Sequence, residues 1–133
     1  MLDTSILVEL LRGRADSLLS QLDREAGNLC VSMITVMELD YGVERSNQSK
    51  NMRHDVDDLL SLLQVKDFDR PAAMHTGSIR RTLADRGESI GPYDSLIAGH
   101  ARSQGCTIVT SNLREFARVP ALTSVDWLAT SET

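Results

Sequence analysis

The stretch ESIGPYDSLIAGHARSQGCTIVT, residues 88–110, runs a helical pattern straight into a buried-strand pattern, and that junction decides the fold. Gly91-Pro92 fixes how the chain enters the helix, because proline already has a helical φ and lacks an N–H that the first turn could not use. Tyr93, Leu96, Ile97, His100 and Ala101 recur at helical spacing on one face, and Gly105 supplies a stop. CTIVT, 106–110, is then a short apolar run suited to a buried strand. Asp94 stands in the first helical turn, where a carboxylate is favoured by the helix dipole. It either only caps the helix or holds something.

The same alternation extends both ways from this junction. Upstream, RPAAMHTGSIRRTLADRG (70–87) is a helix opened by Pro71 and closed by Gly87, preceded by a strand QVKDF (64–68). DVDDLLSLL (55–63) places Val56, Leu59, Leu60 and Leu63 on one helical face. TVMELDYGVERS (35–46) predicts a helix capped by Thr35, after a buried strand LCVSMI (29–34). ADSLLSQLDREAG (15–27) and SILVELLRG (5–13) are helical, the latter capped by Thr4 or Ser5 and stopped at Gly13. Met1-Leu2 is the tail of a very short first strand. Downstream, NLREF (112–116) is a helical turn and SVDW (124–127) a last edge strand. Strands alternating with helices predict an α/β fold, a three-layer α/β/α sandwich around a mostly parallel sheet of four or five strands.

A chain of 133 residues fits a single domain, with aromatics at 4% leaving the core to Leu, Ile, Val, Ala and Met. The formal net charge of -5 argues against a nonspecific nucleic-acid coat protein, but not against an enzyme acting on nucleic acid. Cys30 and Cys106 lie singly in apolar runs, which suits a reducing compartment better than a disulfide framework. An acid at position 3 with no long apolar run after it predicts neither signal peptide nor membrane span, hence a cytoplasmic protein.

In open α/β sheets, chemistry gathers beyond the carboxyl ends of the strands. Asp3 follows the first strand, Glu38 sits one turn into the helix after CVSMI, Asp94 opens its helix, and Asn112 and Glu115 follow TIVT. Each acid alone is more often a cap, worth about 0.3–1 kcal/mol against the helix dipole. Together they demand more, because two carboxylates about 4 Å apart repel by roughly 4 kcal/mol at an effective dielectric of 20. Three converging acids need a cation or must protonate one member. Oxygen ligands without paired His or Cys favour Mg²⁺ or Mn²⁺ over Zn²⁺, and His54, His75 and His100 show no metal-ligand spacing.

The segments MLDTS, SMITVMELDYGVERS, IGPYDSLIAGHARSQG and IVTSNLREFARV resemble, in order and spacing, the PIN-domain toxins of the VapBC toxin–antitoxin systems. The resemblance covers nearly the whole chain and implies one PIN domain over residues 1–133. It also implies a metal-dependent endoribonuclease, using Mg²⁺ or Mn²⁺, whose metal cluster falls on Asp3, Glu38 and Asp94. A fourth position, often acidic in the family, is Asn112 here, with Glu115 three residues on; either can serve. The residue two after Asp3, commonly Asn in the family, is Ser5, which predicts a modest change in site geometry.

By the same resemblance, Asp3 and Asp94 are the main ligands and Glu38 a ligand or water-orienting base. The products carry 5′-phosphate and 3′-hydroxyl. Arg114 and Arg118 are expected to meet RNA phosphates, and Thr4 and Thr110 to donate to a phosphate or carboxylate unless they cap. The implied substrate is a structured RNA such as tRNA or ribosomal RNA. Implied partners are a VapB-type antitoxin, a second copy of the chain in a homodimer, and operator DNA reached only through the antitoxin. A haloacid-dehalogenase-type phosphohydrolase needs Asp-x-Asp where this chain has Ser5, and a receiver domain needs an acidic pair and a later Lys. An inert PIN-like binding module is disfavoured by the intact Asp3, Glu38 and Asp94.

Overall fold

The computed structural model describes residues 1–13 and 16–130. Helix α1 (Thr4–Leu11) leads to α2 (Asp16–Arg24), β1 (Cys30–Ser32), α3 (Met33–Arg45), α4 (Ser49–Ser61), β2 (Gln64–Lys66) and α5 (Arg70–Asp85). The chain continues with α6 (Pro92–Gln104), β3 (Ile108–Val109), α7 (Leu113–Phe116), β4 (Ser124–Val125) and α8 (Trp127–Thr130). Of the helix expected over 15–27, Ala15 lies outside the described residues, Asp16–Arg24 forms α2, and residues 25–27 are a turn.

The strands are short and parallel. β1 pairs with β2, and β3 with β4. The N-terminal residues join these two ribbons: Leu2 N–H donates to Cys30 O at 2.9 Å, Asp3 N–H to Val109 O at 2.9 Å, and Val109 N–H to Met1 O at 2.9 Å. The order across the sheet is therefore β2, β1, residues 1–3, β3, β4. The expected first strand is real but only as long as these bonds. Its central place explains why Met1 and Leu2 are buried, and why Asp3 emerges at the middle of the sheet's carboxyl edge.

Two apolar clusters flank this sheet. One joins Ile79 and Leu83 of α5 to Ile97, Ala98 and Ala101 of α6, with Phe116. The other gathers Ile6, Leu7, Leu18, Leu39, Val43 and Val56 from α1 to α4. Helices on both faces of a parallel sheet are the expected sandwich. Among the described residues no helix is long and apolar enough to cross a membrane.

Three local expectations are corrected. The cap of α1 is Asp3, not Thr4 or Ser5, its carboxylate accepting from Thr4 N–H at 2.8 Å. The run LCVSMI stays extended only to Ser32, which caps α3 by accepting from Ile34 N–H at 3.1 Å, so Thr35 lies inside the helix. Tyr93 is 48% exposed, while the buried face of α6 is built from Ser95, Ile97, Ala98, Gly99, His100 and Ala101.

Candidate active site

Asp3 is buried, 2% exposed, and the hydroxyls of Ser5 and Thr110 turn to it. One carboxylate oxygen takes the Thr4 N–H; the other accepts from Ser5 Oγ at 2.9 Å and Thr110 Oγ1 at 2.8 Å. Ser5 Oγ accepts from Ser111 N–H at 3.1 Å, and Thr110 Oγ1 from Asn112 N–H at 2.8 Å. These bonds tie the loop after β3 to the start of α1. Donors of this kind fix the orientation of the carboxylate. Ser5 thus orients the carboxylate by its hydroxyl.

Glu38 is half-buried on α3 and accepts from Thr4 Oγ1 at 2.7 Å; Thr4 Oγ1 also lies 3.1 Å from Thr35 Oγ1. Burial raises its pKa above the ordinary carboxylate value, the Thr4 bond works against that rise, and the Asp3 charge adds to it. The hydroxyls of Thr4 and Thr110 therefore serve the acids Glu38 and Asp3.

Asp94 comes from the first turn of α6. Burial, a hydrogen bond to Glu115 and the charges of Asp3, Glu115 and Glu38 push it up to about 8. Glu115 moves the other way, lowered chiefly by the bond from Asp94 and then by Asn112. The two carboxyls thus shift in opposite directions because they share one hydrogen bond. Asn112 Nδ2 donates to both, at 3.1 Å to Asp94 Oδ2 and 2.9 Å to Glu115 Oε2. It is a positioning amide, a role its place in the sequence did not disclose. Arg118 donates to the carbonyls of Glu88 and Ser89 at 3.5 and 3.2 Å, bracing the loop before α6, while Arg114 is exposed.

In the sequence His100 is one position on a helical face, without metal-ligand spacing to the other histidines. It is fully buried; its Nδ1 sits 2.7 Å from Ser32 Oγ, and its ring meets Phe68 edge-on at 5.4 Å. Since Ser32 caps α3, this contact ties the helix of Asp94 to the helix of Glu38. Among the described residues, His100 Nε2 is the buried side-chain polar atom without a partner, and burial lowers the ring's pKa. A base whose folded pKa is lowered contributes stability that is complete above the unfolded value of 6.5 and lost as pH falls below it. The urea midpoint will therefore drop on acidification from about pH 7 to about pH 5, and less so in His100→Gln; equal drops in both proteins refute this role.

The donor set suits a hard divalent cation. Asp3, Glu38, Asp94 and Glu115 offer only carboxylate oxygen, and burial together with the neighbouring acids raises the pKa of Asp94. Among the described residues, no group of three or more His, Cys, Asp or Glu side chains is arranged to hold a metal ion by itself. The acids are joined instead through Thr4, Thr110 and Asn112. Such an open arrangement fits Mg²⁺, which retains several waters and takes few protein ligands.

The PIN domain family matches residues 1–122. The tRNA(fMet)-specific endonuclease VapC of Shigella flexneri is 42% identical over 127 residues, 96% of each chain. Ribonuclease VapC2 of Haemophilus influenzae is 42% identical over 96% of this chain and 97% of its own. The DNA-bound VapBC structure from Salmonella typhimurium superposes with a TM-score of 0.93 at 42% identity, covering 96% of both chains. VapBC2 from Rickettsia felis, bound to a promoter DNA fragment, gives 0.92 at 36% identity over 96% of this chain and 97% of its own.

Proposed function

The chain belongs to the PIN-domain family, among the VapC ribonucleases, and from that membership we propose that it is the toxin of a toxin–antitoxin pair: a divalent-metal-dependent endoribonuclease acting on tRNA. The observation that carries this reading is the gathering of Asp3, Glu38 and Asp94 at the carboxyl edge of the sheet, within reach of one another's charge. Initiator tRNA is the first substrate to test, since the Shigella flexneri relative is named for it. A VapB-type antitoxin, a second copy of the chain, and operator DNA reached through the antitoxin complete the expected assembly; two similar solved structures are VapBC complexes bound to DNA.

Asp3 and Asp94 would hold the cation, Mg²⁺ or Mn²⁺, with Glu38 completing the set. A bound cation supplies charge neutralisation at the scissile phosphate and a more acidic attacking water. The remaining work belongs to the chain. Thr4 N–H, Ser5 and Thr110 hold Asp3 in a fixed orientation. Glu38, aimed by Thr4, would serve either as that further ligand or as the base that orients the attacking water. Asn112 holds Asp94 and Glu115 in register.

Purified protein freed of its partner will cut initiator tRNA in Mg²⁺, and EDTA will stop it. Cleavage that survives EDTA, or intact tRNA in Mg²⁺, overturns the reading. Thr4→Val removes the hydroxyl on Glu38 and should lower the single-turnover cleavage rate by about tenfold, the usual scale for a supporting hydrogen bond at such a site. An unchanged rate removes Thr4 from the mechanism.

A further inference from the structure

Beside Glu38 opens a groove of about 340 Å³ that the mechanism above leaves unused. Its floor is apolar, from Val8, Leu39 and Met52, and Thr4 and Glu38 form the side shared with the acids. Its rim carries Tyr41, 61% exposed, with the Arg45 guanidinium over the ring at 5.3 Å from the centroid, and also Arg12. Arg12 meets Glu9 only at 3.9 Å, with 57% of its own side chain exposed, so its charge remains available.

A large aromatic left in solvent, topped by an arginine and flanked by a second, is how proteins hold an unpaired nucleotide: the base stacks on the ring or the guanidinium, and the phosphate meets the arginines. We propose that Tyr41, Arg45 and Arg12 form a subsite for one single-stranded nucleotide next to the scissile phosphate, so that Tyr41 positions the RNA rather than taking part in bond cleavage. The proposal rests on the ribonuclease reading and names how its substrate is held. Two features select RNA over an apolar protein segment. The groove is continuous with Glu38, so a chain cut there passes through it, and its two arginines offset Glu38 and Asp55 in the same lining and give a phosphate cationic partners. Asp55, also lining the groove, is an acceptor for a base amino group.

The test is steady-state cleavage of initiator tRNA in Mg²⁺ by the wild type, Tyr41→Ala, Tyr41→Phe and Arg45→Gln. Tyr41→Ala should raise KM roughly tenfold and leave kcat within about twofold, while Tyr41→Phe, which keeps the ring, stays near wild type. Arg45→Gln should raise KM as well. Because Tyr41 is mostly in solvent, its loss will leave the melting temperature unchanged. An active wild type whose Tyr41→Ala variant has an unaltered KM overturns the subsite alone. So does a Tyr41→Ala variant that loses only its grip on a VapB-type protein, which would assign the groove to the protein partner. A wild type that leaves tRNA intact overturns the ribonuclease reading itself.

Discussion

Asp94→Asn will abolish RNA cleavage while leaving the fold intact. The substitution keeps the shape and still offers Asn112 an oxygen to donate to, so the contact now 3.1 Å long survives. What it removes is the charge that a cation needs. Lewis-acid help at a phosphate is worth several kcal/mol, so the loss should reach roughly 10²–10⁴ in rate. The same charge is a burden without metal, because burial and the neighbouring acids push Asp94 up to about 8. Metal-free variant protein should consequently melt no lower than wild type. Adding Mg²⁺ should raise the melting temperature of the wild type by mass action and leave the variant nearly unmoved. Expression of the wild type should arrest growth, and expression of the variant should not. Growth arrest as strong as wild type, or an undiminished Mg²⁺ response, would remove Asp94 from the site.

Residues 88–110 made the fold legible because helix and strand periods are distinct, and because Gly91-Pro92 and Gly105 mark the helix ends. Gly105 adopts the left-handed conformation that such a stop requires. The local errors share a cause. In LCVSMI an apolar run looks the same whether it ends a strand or opens a buried helix, and only the hydroxyl of Ser32, turned back onto Ile34 N–H, separates the two. Asp3 displaced Thr4 and Ser5 as the cap because both hydroxyls were engaged by carboxylates, Glu38 and Asp3, that come together only in three dimensions.

The candidate site divides in the same way. Asp3, Glu38 and Asp94 could be named from their places after strands and from the resemblance. The residues that support them could not, because their reasons are tertiary. Asn112 bridges Asp94 to Glu115, and His100 meets Ser32 across 68 positions of chain. No spacing rule reaches that far. The acids have a local signature at helix starts, whereas their partners are chosen by how α6 lies against α3 and the loop after β3.

That arrangement of α6 yields the largest expected effect on stability, from Gly99→Ala. On helix propensity alone the change should help by about 1 kcal/mol. It will instead destabilise, because Gly99 is where α6 presses on α5. A Cβ there would lie 2.6 Å from Thr76 N and 2.7 Å from Thr76 Cα, and closer still to Thr76 Oγ1. Two of those three atoms are backbone, so no rotamer of Thr76 makes room, and the helices must separate. Overpacking of this kind costs about 3 kcal/mol or more. For a domain of this size that is a fall of roughly 10 °C in melting temperature. Thr76→Ala in the same chain removes only the hydroxyl clash, so the double variant should recover a minor part of the loss. Equal stability of Gly99→Ala and wild type would show that α5 and α6 are not in contact at this point. Separation of α6 also moves the turn that carries Asp94, so cleavage by the folded fraction should fall alongside stability. The small residue in the middle of the helix sets the position of the acid at its mouth.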